Sequence, residues 1–317
     1  MIKRTLAPFI HTEKNAPYIY LTIIAALVPA CCYAVFYYGI RAALMILLCA
    51  VSFVICDVIC SKASSRYNSS EYFDLSSIVS GLVFALLLPP DTPVYMALAG
   101  VLFGSVITKQ IFGGAGSNII NPAAGARLFI EMVFPSGMCG YTEPRANWFG
   151  IESLISSTAV PVIPDHSELS VIELLSGNFP GMLGASCAVL AVLGAVFLLM
   201  RGNLRLYAPL SYIISLSVLY YVMNPESNLI TFMLSSGVFF IAVFMLGDMT
   251  TMPSRFAAGA FAGLVCAVLT VVLLPYVSLA TALIAPVVSV NLMSFVMDFF
   301  SKTLTRRTKQ SREVDVL

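Results

Sequence analysis

Runs of about 20 apolar residues, the length that crosses a bilayer core, recur along the whole chain. Soluble domains usually carry about 25% charged residues, whereas this chain carries 10% and is 59% hydrophobic. The pattern therefore predicts an all-α integral membrane protein with about ten spanning helices. The predicted spans are 17–38, 42–60, 75–89, 93–108, 120–135, 180–200, 206–223, 228–246, 254–274 and 279–299.

Lysine and arginine are distributed unequally between the predicted loops. With the N-terminus placed in the cytoplasm, only Arg41 and Arg145 fall in outside loops, and Arg127 lies near the start of a span. This positive-inside bias predicts an even number of spans, with both termini in the cytoplasm. The net charge of +1 indicates no nucleic-acid partner. The residues on the cytoplasmic side are Lys3, Arg4, Lys14, Lys62, Arg66, Lys109, Arg201, Arg205, Arg255, Lys302, Arg306, Arg307, Lys309 and Arg312.

The chain also contains an internal repeat. The stretch SGLVFALLLPPDTP begins at Ser80, and SGVFFIAVFMLGDMTTMP begins at Ser236; the spans that follow them contain LAGVLFG and AAGAFAG. Because each copy holds five predicted spans, an odd number, the two halves must have opposite orientations. Inverted repeats with interrupted helices are an architecture of membrane transport. The alternative is chance similarity between apolar stretches.

The repeat divides the chain into three regions. Residues 1–135 form an N-terminal tail and the first five-helix half, and residues 180–317 form the second half with a basic cytoplasmic tail. Between them, residues 136–179 form a polar connecting loop, which the predicted orientation places outside the cytoplasm.

A glycine-rich and asparagine-rich loop, within KQIFGGAGSNIINPAAGAR, joins two predicted spans on the cytoplasmic side. Gly113 and Gly114 permit backbone conformations that other residues rarely adopt, and Asn118 and Asn121 supply amide donors and acceptors. Such a loop is able to hold a polar ring or an anion through backbone N–H groups. It lacks the order of a Walker loop. A tight structural turn between helices is the alternative.

Acidic residues in or beside the spans are candidates for an ion path, because ionisable groups in membranes are costly. Asp248, in GDMTTMP, is predicted either to hold a cation or to cap a helix. Glu131 is predicted either to lie on an ion path or to pair with Arg127, four residues earlier on the same helix face. Asp57 and Asp298 are predicted to reach interfacial water. The eight cysteines form no CxxC pair, and no metal site or catalytic side chain is predicted.

Four segments, in order and at similar spacing, resemble the landmarks of one family: SGLVFALLLPPDTP, KQIFGGAGSNIINPAA, GNFPGMLGASCAVLAVLGAVFLL and GDMTTMP. It is the family of the D subunit of the Rnf ion-translocating electron transport complex, homologous to the B subunit of the sodium-translocating NADH:quinone reductase. The resemblance covers nearly the whole chain, and the chain's length favours the D subunit. It implies a fold like that of urea channels, in the cytoplasmic (inner) membrane of a bacterium.

In that family an FMN is joined by a phosphoester to a threonine, in a motif resembling D-x-x-[ST]-[SG]-A-T on the outer side of the membrane. The matching threonine here is Thr158, with Ser156 at the small position and Glu152 where the pattern has Asp. Ile155 replaces the hydroxyl residue and Ser157 replaces Ala. The resemblance implies covalent FMN at Thr158. The glycine-rich loop is a candidate for a second, non-covalent flavin.

The resemblance also implies a function: a membrane subunit of a ferredoxin/NAD oxidoreductase in which FMN relays electrons and drives the transport of Na⁺ or H⁺. The chain is expected to belong to a redox enzyme and not to catalyse alone. Its implied partners are the peripheral ferredoxin/NAD subunits, the small membrane subunits, a second flavin-bearing subunit and membrane lipid. Two alternatives stay open: a small-solute channel or transporter, and a scaffold subunit of the same fold without flavin.

Overall fold

The computed structural model describes residues 16–63, 74–114, 116–138, 141–145 and 169–314, with side chains as far as Thr303 in the last helix. These residues form twelve α-helices, and α4 continues as a π-helical segment, Phe103–Gln110. The helices α1 to α12 are Ala16–Tyr38, Ile40–Ala63, Leu75–Leu86, Val94–Leu102, Pro122–Val133, Val171–Ser176, Ala188–Met200, Tyr207–Met223, Leu229–Ser235, Val238–Phe244, Phe256–Leu273 and Leu279–Val314.

Local sequence signals explain where several of these helices begin and end. Gly39, with φ of 71°, separates α1 from α2, because glycine adopts the left-handed conformation without steric cost. Asp74 and Asn121 are the N-caps of α3 and α5, and each accepts a hydrogen bond from a backbone N–H of the first turn. Ser170 and Glu173 form a capping box at the start of α6.

Among the described helices, four are long and apolar enough to cross a membrane: Ala16–Tyr38, Ile40–Ala63, Phe256–Leu273 and Leu279–Thr303. Shorter apolar helices lie at Leu75–Leu86, Val94–Gln110, Ala188–Met200 and Tyr207–Met223. The structure thus has the helical, apolar composition of a membrane protein. The number of ten spans stays a prediction, because length and composition identify four.

Small residues allow the helices to approach closely. A Cβ atom added to Gly81 of α3 would lie 2.7 Å from the Cα of Ala50 in α2. One added to Gly263 of α11 would lie 2.9 Å from the backbone nitrogen of Tyr212 in α8. Membrane helices associate through such close packing, since lipid provides no hydrophobic driving force between them.

Two regions that the sequence predicted as continuous spans are interrupted. The predicted span 228–246 divides into α9 and α10 at Gly237, whose φ is 80°. The predicted span 180–200 becomes helical only at Ala188. In the residues before that point, the backbone N–H groups of Gly184 and Ala185 both donate to the carbonyl of Leu86, at the end of α3. A backbone that bonds to another helix end cannot also complete its own helical ladder.

Candidate functional site

The two sequence segments singled out as polar loops meet at one end of the helix bundle. Asn121 caps α5, where its side-chain oxygen accepts from the backbone N–H groups of Ala123 (3.0 Å) and Ala124 (3.3 Å). Its amide nitrogen donates to a carboxylate oxygen of Asp248 at 3.4 Å. We call this end of the bundle the Asp248 end. The opposite end, where the last turn of α5 contains Glu131, is the Glu131 end.

Asp248 organises the turn that follows α10. Its carboxylate accepts from the backbone N–H of Thr250 (3.0 Å) and from the hydroxyls of Thr250 and Thr251. It does not cap α11, which begins at Phe256 with Arg255 as its N-cap. Burial raises the pKa of the Asp248 carboxyl, and the hydrogen bonds from Thr250, Thr251 and Asn121 only partly oppose that effect.

A cavity of about 270 Å³ lies beside Asp248, between elements of both halves of the chain. Its walls come from the first turns of α1, from α3, from the start of α5 and from the ends of α7 and α10. The described residues that line it include no lysine or arginine. Its polar side chains include those of Tyr20, Ser76, Asn118, Asn121, Asn203 and Asp248.

Two of the asparagines present hydrogen-bonding groups at this cavity. The side-chain oxygen of Asn118 is buried and has no hydrogen-bond partner among the described residues, which leaves its acceptor capacity unused there. The amide nitrogen of Asn203 donates to the Thr22 hydroxyl at 2.5 Å, which fixes the orientation of the asparagine side chain.

Of the sequence candidates, Asn118, Asn121 and Asp248 therefore share one cavity. Gly113 and Gly114 do not line it; they form the turn after the π-helical segment, with φ of 125° and 89°. Their N–H groups donate to the carbonyls of Gln110 and Lys109. The two glycines thus shape the loop that carries the asparagines.

Glu131 lies away from this cavity, near the far end of α5. Its carboxylate pairs with Arg127, as the spacing of four residues predicted, and accepts from the Ser278 hydroxyl at 2.6 Å. Arg127 is almost completely buried, and its Nε donates to the Leu87 carbonyl at 3.1 Å. The predicted pairing is confirmed. A role for Glu131 in an ion path stays a prediction.

A buried charge network that contains Asp57 and Lys109 was not predicted from the sequence. The ammonium of Lys109 lies 2.9 Å from Asp57 and 2.7 Å from Asp74. The expectation that Asp57 reaches interfacial water is wrong, because the residue is 6% exposed and paired. Burial acts to raise the pKa of Asp74, but Lys109, together with hydrogen bonds from Lys109 and Ser76, holds it below its ordinary value.

A second group that was not predicted lies at the Glu131 end. Arg41 pairs with Asp91, which also accepts a hydrogen bond from the Thr142 hydroxyl. Both charged residues are buried. The sequence feature that could have indicated this group is Asp91 in PPDTP. It lies near the end of the first repeat copy, as Asp248 lies near the end of the second.

The last turns of α1 contact the connecting loop near both ends of its undescribed middle part, at Arg145 and at Gly177. The Tyr33 hydroxyl donates to the Gly177 carbonyl at 2.5 Å, and the Tyr37 carbonyl accepts from the backbone N–H of Arg145 at 2.7 Å. The Arg145 guanidinium also lies over the rings of Phe36 and Tyr37. Thr158, the predicted flavin anchor, lies outside the described residues.

A bundle of apolar helices, with a largely apolar cavity that also carries a few polar side chains, defines a helical membrane protein. Comparison with known sequences identifies its family. The sequence profile of the NQR2, RnfD, RnfE family matches residues 3–306, and the chain belongs to this family.

Three relatives illustrate the similarity. The D subunit of the ion-translocating oxidoreductase complex of Halorhodospira halophila is 26% identical over 311 residues, which is 87% of each chain. The D subunit of the Na⁺-translocating ferredoxin:NAD⁺ oxidoreductase complex of Acetobacterium woodii is 25% identical, over 85% of this chain and 84% of the relative. The D subunit of the proton-translocating ferredoxin:NAD⁺ oxidoreductase complex of Clostridium ljungdahlii is 25% identical over 78% of each chain.

Proposed function

We propose that this chain is the D-type membrane subunit of a redox-driven ion translocase that exchanges electrons between ferredoxin and NAD. The observation that carries the proposal is the family match over residues 3–306, together with relatives that are named as subunits of such complexes. The chain works with partners: peripheral ferredoxin/NAD subunits, small membrane subunits and a second flavin-bearing subunit. It does not catalyse alone.

The proposed topology is ten spans in two inverted five-helix halves, with both termini in the cytoplasm of a bacterium. Helix packing supports the repeat, because corresponding pairs make contact in the two halves: α5 packs against the π-helical segment, as α12 packs against α11. The halves meet through α1 with α7 and through α5 with α12. In this topology Thr158 lies on the outer side of the membrane, and the Asp248 end faces the cytoplasm.

The proposed electron carrier is FMN, held by a phosphoester to the Thr158 hydroxyl. When bound, FMN would supply stepwise one-electron transfer. The contribution of the protein would be to hold the flavin and to set its surroundings. Tyr33 and Tyr37 attach both described margins of the connecting loop to α1.

A second, non-covalent flavin is proposed for the cavity at the Asp248 end. The volume of about 270 Å³ lies just below the range of small-molecule sites, roughly 300–1,000 Å³. The Asn118 oxygen, unpartnered within the described residues, suits the ring N–H donor of a flavin, and Asn121, bonded to Ala123, Ala124 and Asp248, fixes the wall beside it. Gly113 and Gly114 contribute by shaping the loop.

Ion transport is proposed to involve Asp248 at one end and Glu131 at the other. Both are ionisable groups near the junction of the two halves, where transporters place their coupling sites. The identity of the ion does not follow from similarity: the relative that translocates Na⁺ and the relative that translocates protons are each 25% identical to this chain.

The test of the covalent flavin is the intact mass and in-gel fluorescence of the protein purified from its native host. The wild-type chain is expected to carry the added mass of FMN and to fluoresce, and Thr158→Ala is expected to lose both. Ser157→Ala, one residue away, is the matched control and should keep both. A wild-type chain of bare polypeptide mass, in a host whose other flavinylated proteins are modified, would refute the flavin relay and favour the scaffold or channel alternatives.

A further inference from the structure

A fully buried lysine lies near the end of the π-helical segment. Lys109 is 0% exposed, and its ammonium donates to Asp57 (2.9 Å), Asp74 (2.7 Å) and the Ser77 hydroxyl (2.6 Å). An ammonium has three protons, so these three acceptors satisfy it completely. Lys109 itself does not line the cavity.

The acceptors come from two helices that Lys109 thereby ties to its own. Asp57 belongs to α2, whereas Asp74 and Ser77 lie at the start of α3. Asp57 accepts further hydrogen bonds from Ser77 and Gln110. The network therefore fixes the first turn of α3 relative to α2 and to the π-helical segment. Short π-helical segments are frequent at functional sites.

Two short connections lead from this network to the cavity. Ser76 donates its backbone N–H (3.0 Å) and its hydroxyl (2.7 Å) to Asp74, and the same residue lines the cavity. On the other side, the Lys109 carbonyl accepts from the N–H of Gly114 at 3.1 Å, at the start of the loop that carries Asn118 and Asn121. The ammonium of Lys109 thus supports the α3 wall of the cavity, whereas the bond to Gly114 is made by the backbone of position 109.

We propose that Lys109 is a positioning residue for the ligand of this cavity: through Asp57 and Asp74 its ammonium holds the first turn of α3, which forms one wall. The inference rests on the proposed function of the cavity as a flavin site. A buried ion pair adds little net stability, because the cost of removing the charges from water offsets their attraction. Buried pairs are better known for fixing one geometry among the elements that they join. Here the geometry specified is that of the α3 wall.

The test compares variants of the chain purified within its complex. Lys109→Met keeps the length of the side chain and removes the ammonium. Lys62→Met, on an exposed lysine in the last turn of α2, is the matched control. Riboflavin affinity is measured by fluorescence, and amide hydrogen exchange is measured without added flavin. Lys109→Met is expected to weaken riboflavin binding about 10- to 100-fold, the range found when outer support is removed from metal ligands.

Hydrogen exchange separates positioning from general destabilisation. In Lys109→Met, exchange is expected to rise in residues 74–86 while α8 and α11 stay as protected as in the wild type. A uniform rise through α8 and α11, or unchanged exchange in residues 74–86, would overturn the inference. If the wild type itself binds no riboflavin, the proposed flavin site fails, and the exchange pattern still decides whether Lys109 positions the α3 wall.

Should Lys109→Met fail to fold, Asp57→Asn provides the second variant. It leaves Lys109 paired with Asp74 and removes only the charged link to α2. It is expected to weaken riboflavin binding less than Lys109→Met does, and to raise exchange in residues 74–86. Wild-type affinity together with wild-type exchange in Asp57→Asn would contradict the inference.

Discussion

At the Glu131 end of the bundle, buried charges pair one to one, as Arg127 does with Glu131 and Arg41 with Asp91. At the Asp248 end, Asp57 and Asp74 share the single ammonium of Lys109. Asp248 takes part in none of the ion pairs found in the described part of the chain. Matched pairs of this kind join neighbouring elements, directly as Arg41 with Asp91 or through further bonds as Arg127 to Leu87 and Glu131 to Ser278. A carboxylate without a cation instead leaves room for a proton, an ion or a hydrogen-bond donor from a ligand. The contrast therefore indicates cohesion at one end and binding at the other.

The largest effect on stability is expected at the Glu131 end. Arg127→Met leaves the Glu131 carboxylate, 8% exposed, without its cation and removes a donor from the Leu87 carbonyl. Breaking a buried pair in this way should lower the free energy of unfolding by about 3–5 kcal/mol, measured by denaturant titration in detergent. The double variant Arg127→Met with Glu131→Met should recover much of the loss. A single variant as stable as the wild type would show that this pair does not stabilise the Glu131 end.

The second effect depends on pH and concerns Asp248. Burial raises the pKa of its carboxyl in the folded state, so the folded protein retains a proton that the unfolded chain releases. The contribution of the carboxyl to stability is therefore fully present below the unfolded-state pKa and is lost as pH rises through the folded-state pKa. Asp248→Asn removes this dependence. Relative to the wild type, the variant should become more stable as pH rises above about 4.

Thermal unfolding measured between acidic and neutral pH checks this expectation. Glu226→Gln is a useful control, because Glu226 is exposed in the turn between α8 and α9. A difference between Asp248→Asn and the wild type that does not change with pH would contradict the assignment. It would indicate that the hydrogen bonds from Thr250, Thr251 and Asn121 keep the carboxyl ionised.

The sequence predicted contacts at short range and missed those at long range. The pairing of Arg127 with Glu131 could be predicted, because a spacing of four on one helix brings the side chains together. Asn121 and Asp248 were each singled out as polar, but they are 127 positions apart, and only the fold brings them to one cavity. Asp57 was misjudged for the same reason: Lys109 lies 52 positions away, and periodicity does not show which helices are neighbours.

The breaks in the predicted spans were also beyond the reach of hydropathy. The predicted span 228–246 contains no charged residue, yet it is divided at Gly237, where the backbone is left-handed. The repeat in sequence pairs Ser236 and Gly237 with Ser80 and Gly81, which lie inside the continuous helix α3. Gly81 is required there for close packing against Ala50, and not for its dihedral angles. The same residue pair thus serves two physical purposes, and the sequence alone does not distinguish them.

The smallest effect on stability, and the sharpest on binding, is expected for Asn118. Its buried oxygen has no partner among the described residues, so Asn118→Ala removes an acceptor without breaking any of the hydrogen bonds found there. The free energy of unfolding should change by less than about 0.5 kcal/mol. Riboflavin binding should weaken about fivefold, the value of roughly one net hydrogen bond. Ser117→Ala, the exposed neighbour, should change neither quantity.

The matched variant at the other end is Ser278→Ala, which removes the hydroxyl that donates to Glu131. Because that hydrogen bond is internal, its loss should lower the free energy of unfolding by about 1 kcal/mol and leave riboflavin affinity unchanged. The two variants together separate the two ends: one should weaken binding without loss of stability, and the other should lose stability without weaker binding. If both variants lowered stability and left riboflavin affinity intact, the Asp248 end would be cohesive like the Glu131 end, and the cavity would not be a flavin site.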